Sequence, residues 1–230
     1  MKTLKIQLLT LCLTLIGFQL MAQSVETRNV DPFTKISTGG SWDLVIQKGD
    51  KPEVRLESRN LDLEKVKTEV KDQTLKVYME KGNYRNINLK VFITYTHLEE
   101  IRSGGSGDLD SPSVLNADDL NITLSGSGDA HFNSLRADNL RVQMSGSGDM
   151  SVGDGEVGGL EITQSGSGDF KGLDLQSQDA NIRKSGSGNT ALGVSGNLSV
   201  RASGSGDVQY RGNPERNDIR FSGSGRLTKK

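Results

Sequence analysis

Cysteine is almost missing from this 230-residue chain: Cys12 stands alone, so no internal disulfide framework exists. Aromatic residues make up 5% and hydrophobic residues 33%, well below the roughly 45–50% apolar share of ordinary globular chains. Histidine is limited to His97 and His131, which lie in different regions, and no HExxH or other metal-ligand spacing occurs. Neither sign of charge dominates. With 28 basic and 29 acidic residues there is no basic footprint for nucleic acid. Disorder is disfavoured too, because low net charge combines with β-branched periodicity. No apolar stripe of helical period runs through residues 100–230.

One long apolar run is present, Ile6 to Leu20, behind Lys2 and Lys5 and ahead of Leu20-Met21-Ala22. It is shorter than the roughly 20 residues of a membrane span. The pattern is that of a secretory signal peptide covering 1–22, cut before Gln23. Cys12 would leave with it. The mature chain would then be cysteine-free, have no transmembrane anchor, and work in the periplasm, at the cell surface or outside the cell. Its charge would be −3, from 26 basic and 29 acidic residues once Lys2 and Lys5 are removed.

Glycine is abundant, and its distribution is the main signal. Gly-Ser-Gly followed by Asp, Asn or Arg occurs seven times, on Ser106, Ser127, Ser147, Ser167, Ser187, Ser205 and Ser224. These triplets hold 14 of the 28 glycines. The spacing is close to 20 residues, and four residues before each triplet stand Ile101, Ile122, Val142, Ile162, Ile182, Val200 and Ile219. Alternation with β-branched residues denotes strand. A strand returning at this period is too short for a propeller blade of roughly 40–45 residues. It lacks the pattern of a leucine-rich repeat. The expected fold is all-β: a single-stranded parallel β-helix, or β-solenoid, whose 20-residue coils stack at about 4.8 Å.

The organisation expected is a signal peptide over 1–22, longer irregular β coils capping the solenoid over 23–100, and regular coils over 101–230, the last two forming one continuous domain. Gly39-Gly40-Ser41-Trp42-Asp43 reads as a degenerate copy of the triplet. Arg226, which replaces Asp in the last copy, is expected to relieve charge at the end of an acidic row.

If alternation runs through the triplet, both glycines point inward and both serines outward. Inward glycine would let the opposite wall approach or the strand bend. Alternatively the string is only a turn, with Asp or Asn in a left-handed conformation. In the outward case Ser127, Ser147, Ser167, Ser187 and Ser205 form one hydroxyl row, and Ser125, Ser145, Ser165, Ser185 and Ser203 a second. Asp129, Asp149, Asp169 and Asp207 line up beside them, with Asp108 and Asn189 in the same row. Such a grid suits an extracellular glycan or another cell-surface partner through many weak contacts. It equally suits an inert scaffold in the periplasm or envelope, structural or stress-related, in which serine serves only because it is small. Carboxylates about 4.8 Å apart repel, which makes calcium a candidate ion for the row. No catalytic constellation emerges. Arg141, Arg183 and Arg201 read as exposed strand residues rather than part of a lyase centre, and no enzymatic activity is expected.

Several segments together resemble the auto-transporter adhesin head GIN family, common in Bacteroidetes: Phe33-x-x-Ile36, Gly40-Ser41-Trp42-Asp43-Leu44, the Ser-Gly-Ser-Gly-Asp coils, Tyr210-Arg211-Gly212-Asn213-Pro214 and the closing Ser-Gly-Ser-Gly. The resemblance runs from about Val30 to Thr228. It implies a β-helix-like fold and a secreted or surface-associated, adhesin-like protein, and it carries no catalytic residues with it.

Overall fold

The computed structural model describes residues 23–230. The proposed signal peptide lies outside them. The described residues form a β-solenoid of about 6 turns with coils about 20 residues apart. Its regular body consists of β9 (Leu109–Leu124), β10 (Ala130–Met144), β11 (Met150–Gln164) and β12 (Phe170–Lys184). Two coils broken into shorter strands follow: β13 (Thr190–Val194) with β14 (Asn197–Ala202), then β15 (Val208–Arg211) with β16 (Arg216–Phe221). β17 (Leu227–Lys229) ends the series. Every pairing in this body is parallel.

The β-branched residues singled out by spacing form one column. Ile101, Ile122, Val142, Ile162, Ile182, Val200 and Ile219 pair rung to rung. From Ile101 to Val200 each is no more than 1% exposed. Burying one such side chain stabilises by about 1.5–3 kcal/mol. A column of like side chains therefore makes any slip in register costly, because a one-residue shift turns the whole set outward.

The N-terminal portion differs from the longer coils expected of it. β1 (Ser24–Asn29), β2 (Lys35–Gly40), β3 (Asp43–Lys48), β4 (Glu53–Ser58), β5 (Val66–Lys71), β6 (Thr74–Met79), β7 (Leu89–Tyr95) and β8 (Glu100–Gly105) mix two kinds of pairing. β1–β4, β4–β7 and β5–β6 are antiparallel. β2–β8 and β3–β9 are parallel and carry the solenoid register down one further rung. Ile36 thereby sits under Ile101, and Gly40 under Gly105. Between 49 and 99 only β5 and β6 form a hairpin; β4 runs antiparallel between β1 and β7, while β6 and β7 pair in parallel with β2 and β3. Asp72 and Gln73, at φ 49° and 59°, make the turn between β5 and β6.

The glycines of the triplets act between rungs. A Cβ on Gly146 would lie 1.7 Å from the carbonyl oxygen of Gly126, and one on Gly148 would lie 2.0 Å from that of Gly128. The same contact recurs from Gly126 to Gly225. What the missing side chain admits is the carbonyl of the rung below, not the opposite wall. Gly146→Ala is expected to destabilise by roughly 3 kcal/mol or more, since backbone rather than a side chain must move. Ser147→Ala, one position along and exposed, should stay within about 0.5 kcal/mol. Denaturant unfolding of the two variants checks this contrast.

Candidate recognition face

Buried and exposed positions alternate straight through the corner. Leu120, Ile122 and Leu124 are buried, as are Ala130 and Phe132 beyond the triplet. Ser125, Ser127, Ser145, Ser147, Ser165, Ser167, Ser185, Ser187, Ser203 and Ser205 are all exposed. Adjacent rungs are tied by main-chain bonds at these serines. Ser147 N donates to Gly126 O at 3.1 Å and Ser167 N to Gly146 O at 3.1 Å. The hydroxyls therefore stand in two straight rows on one side of the solenoid.

The aspartates do something the sequence reading missed. The backbone N–H of Asp129 donates to Asp108 Oδ1 at 2.8 Å, that of Asp149 to Asp129 Oδ1 at 2.8 Å, and that of Asp169 to Asp149 Oδ1 at 2.8 Å. Asn189 N then donates to Asp169 Oδ1, Asp207 N to Asn189 Oδ1, and Arg226 N to Asp207 Oδ1, at 2.6, 3.0 and 2.9 Å. The row is a ladder. Each side chain accepts the main-chain proton of its counterpart one rung up. No repeat Asp or Asn takes a positive φ, which removes the left-handed-turn reading. Arg226 has a simpler explanation than charge relief. In this copy the ladder uses only the residue's own N–H, which any side chain leaves available.

Asp149 shows the balance of forces in this row. Burial pushes its carboxyl up, but the Asp169 N–H and the Lys171 ammonium together hold it below the ordinary carboxylate value. Lys171 Nζ lies 2.5 Å from Asp149 Oδ2. Among the described residues no group of three or more His, Cys, Asp or Glu is placed to hold a metal ion. Asp149→Asn keeps an acceptor for the Asp169 N–H, whereas Asp149→Ala leaves it unpaired. The Ala variant should lose about 1–2 kcal/mol and the Asn variant less than half of that. The wild-type advantage over Ala is full above the ordinary aspartate range and falls as pH drops through the lowered pKa of Asp149. Unfolding at neutral and acid pH reads both effects.

A second feature lies behind the corner. Leu124, Met144, Gln164, Lys184 and Ala202 form one inward column, of which Gln164 and Lys184 are 1% and 4% exposed. Thr190 Oγ1 donates to Gln164 Oε1 at 2.6 Å. Gln164 Nε2 donates to Asn189 O at 3.3 Å and also to Gly168 O. Lys184 Nζ reaches Gly188 O, Thr190 Oγ1 and, at 3.1 Å, Asp207 O. A polar plug thus satisfies inward-facing carbonyls beneath the serine rows. Its signal was legible: at the inward parity, where other coils carry Leu, Met or Ala, these two coils carry Gln and Lys.

Burial lowers the Lys184 ammonium to about 8 from the usual 10.5, against the pull of Asp169 and Asp207. Between those values the unfolded chain holds the proton more tightly than the folded one, so stability rises with pH there. The rise across pH 8 to 10.5 should be at most on the order of 3 kcal/mol. Unfolding of wild type and Lys184→Met through that range should show the rise in the first and not in the second.

Arg141, Arg183 and Arg201 lie on the outward face of the strand preceding the corner, half-exposed. Arg141 and Arg183 share Glu161, and Arg201 pairs with Asp218. Exposed pairs of this kind contribute little to stability. His131 and His97 are not brought together; Nδ1 of His131 contacts Ser151 Oγ at 2.9 Å.

The sequence profile described as "Putative auto-transporter adhesin, head GIN domain" matches residues 32–214. No curated protein matches the chain. Among solved structures, a "putative adhesin" from Bacteroides fragilis is 23% identical with a TM-score of 0.86, covering 91% of this chain and 97% of its own. A "putative adhesin" from Parabacteroides distasonis is 18% identical with a TM-score of 0.73, over 91% and 97%. A "putative lipid binding protein" from the same species is 22% identical with a TM-score of 0.66, over 89% and 96%. At these identities the likeness is one of fold.

Proposed function

Given that the chain belongs to the auto-transporter adhesin head GIN family, we propose that it is a non-enzymatic, exported surface protein whose serine-bearing corner recognises an extracellular glycan or another cell-surface partner. The observation that carries this reading is the pair of exposed serine rows. Their spacing is that of stacked strands, about 4.8 Å from rung to rung. Each hydroxyl is both donor and acceptor. A rigid lattice of such groups loses little entropy on binding, and many weak contacts add where a partner spans several rungs. The contacting residues are the serines Ser125, Ser127, Ser145, Ser147, Ser165, Ser167, Ser185, Ser187, Ser203 and Ser205. Asp129, Asp149, Asp169 and Asp207 flank them. In those aspartates one carboxylate oxygen is engaged by the ladder, and in Asp149 the other meets Lys171 Nζ, so Oδ2 is left for a partner at Asp129, Asp169 and Asp207. Export by the leader over 1–22 delivers the protein to where such partners occur. Among the described residues no helix is long and apolar enough to cross a membrane.

The test is a glycan array probed with wild type and with a Ser127/Ser147/Ser167→Arg triple variant. Binding by wild type that the variant loses supports the face. Equal binding by both, or none by either, turns the reading to that of an envelope scaffold.

A further inference from the structure

The outward side of the strand that enters the corner carries a second, shorter ladder with a gap in it. Register places Asp119, Asn139, Gly159 and Asp179 in one column, and Asn197 bonds to Asp179 one rung further. Asn139 Nδ2 donates to Asp119 Oδ1 at 2.8 Å. Asn197 donates through N and Nδ2 to Asp179 Oδ1 at 2.9 and 2.6 Å. Gly159 interrupts the column between these pairs.

Packing does not require glycine at this position. A Cβ on Gly159 would meet only the amide oxygen of Asn139, at 2.7 Å, which is the free end of a rotatable side chain. On the neighbouring Gly158 it would strike the backbone carbonyl of Asp138 at 2.7 Å. Gly159 has no positive φ either. An asparagine would extend the ladder, yet the chain carries glycine and opens a groove over the main chain of that rung, walled by Asn139, Arg141, Glu161, Asp179 and Asn181.

The walls are matched to a particular chemistry. Arg141 and Glu161 neutralise each other. Asn139 Oδ1 faces the groove from the position a Gly159 side chain would contact. Asn181 lines the groove, and its enclosed Oδ1 accepts no hydrogen bond, which leaves an acceptor without a donor at the site. Asp179 has spent Oδ1 on Asn197 and keeps Oδ2. The groove therefore offers several acceptors, little net charge and a floor of bare backbone. A partner needs multiple hydroxyl donors at its rim and a flat C–H face, which is the chemistry of a sugar ring.

We propose that the Gly159 groove binds one neutral pyranose unit. Its ligand class is that of the serine-face reading; its location is separate. The test is a titration of 15N-labelled protein with the methyl glycosides of glucose, galactose, mannose and N-acetylglucosamine, followed by amide shifts. Wild type and the Ser127/Ser147/Ser167→Arg variant should both show saturable shifts at Asn139, Gly159 and Asn181. Gly159→Asn should weaken binding at least roughly tenfold, while its unfolding midpoint holds or rises because the ladder is completed. Asn181→Ala, which fills nothing, should weaken binding without changing the fold. Absence of shifts in wild type with every glycoside, or unchanged binding by Gly159→Asn and Asn181→Ala, overturns the proposal. Binding lost only in the serine variant also overturns it, and leaves the serine face standing.

Discussion

Everything in this protein depends on how closely one rung sits on the next at the corner. There the alpha carbon of a glycine rests on the carbonyl of the glycine below, and the N–H of an Asp reaches the carboxylate of the Asp below. The two contacts are complementary. Glycine removes the atoms that would hold the rungs apart, and aspartate supplies the acceptor for a main-chain donor that the tight corner leaves without a strand partner. A buried or half-buried N–H without a partner costs about 1–3 kcal/mol. Both devices repeat from coil to coil, and the serines are carried outward on the corner they hold together.

The ends of the series show what the constraint is by where it lapses. Gly40-Ser41-Trp42-Asp43 lies one rung below Gly105-Ser106-Gly107-Asp108, and Asp108 N reaches Asp43 Oδ1 at 3.3 Å. Trp42 stands at the foot of the column that holds Gly107, whose alpha carbon packs on the Trp42 carbonyl. Here the column accepts a large side chain, which is 6% exposed and donates from Nε1 to Thr38 Oγ1 at 3.1 Å; β2 and β3 pair beyond it with β6 and β7, but that pairing skips 39–42. At the other end Arg226 occupies the Asp position and supplies only its N–H. Between these two copies the position always carries a side-chain acceptor, Asp or, at Asn189, Asn.

Much of this was legible in the chain. The 20-residue period and the β-branched column follow from alternation. The outward parity of the serines was one of two readings, since alternation alone does not tell a strand that runs through the triplet from a turn. The degenerate copy at Gly40 was visible as well. Its place beneath Gly105 was not, since the irregular strands of 49–99 separate the two in sequence and local patterning does not encode long-range pairing. The aspartate ladder was hidden for a related reason. A sequence shows that Asp recurs, and charge repulsion is the first consequence that comes to hand. That Oδ1 meets an N–H one rung up is a fact of three-dimensional register. Gln164 and Lys184 could have been found by asking which inward positions break the apolar rule.

The central claim is that residues one repeat apart are direct neighbours. It is tested most directly by cross-linking in a chain whose single Cys12 is replaced. Disulfides need alpha carbons roughly 4.4–6.8 Å apart, which adjacent rungs at about 4.8 Å satisfy and alternate rungs do not. A Ser147→Cys/Ser167→Cys chain should oxidise to an intramolecular disulfide in the folded state, and a Ser147→Cys/Ser187→Cys chain should not. Failure of the first pair to close, or equal closure of both, would contradict the stacked arrangement.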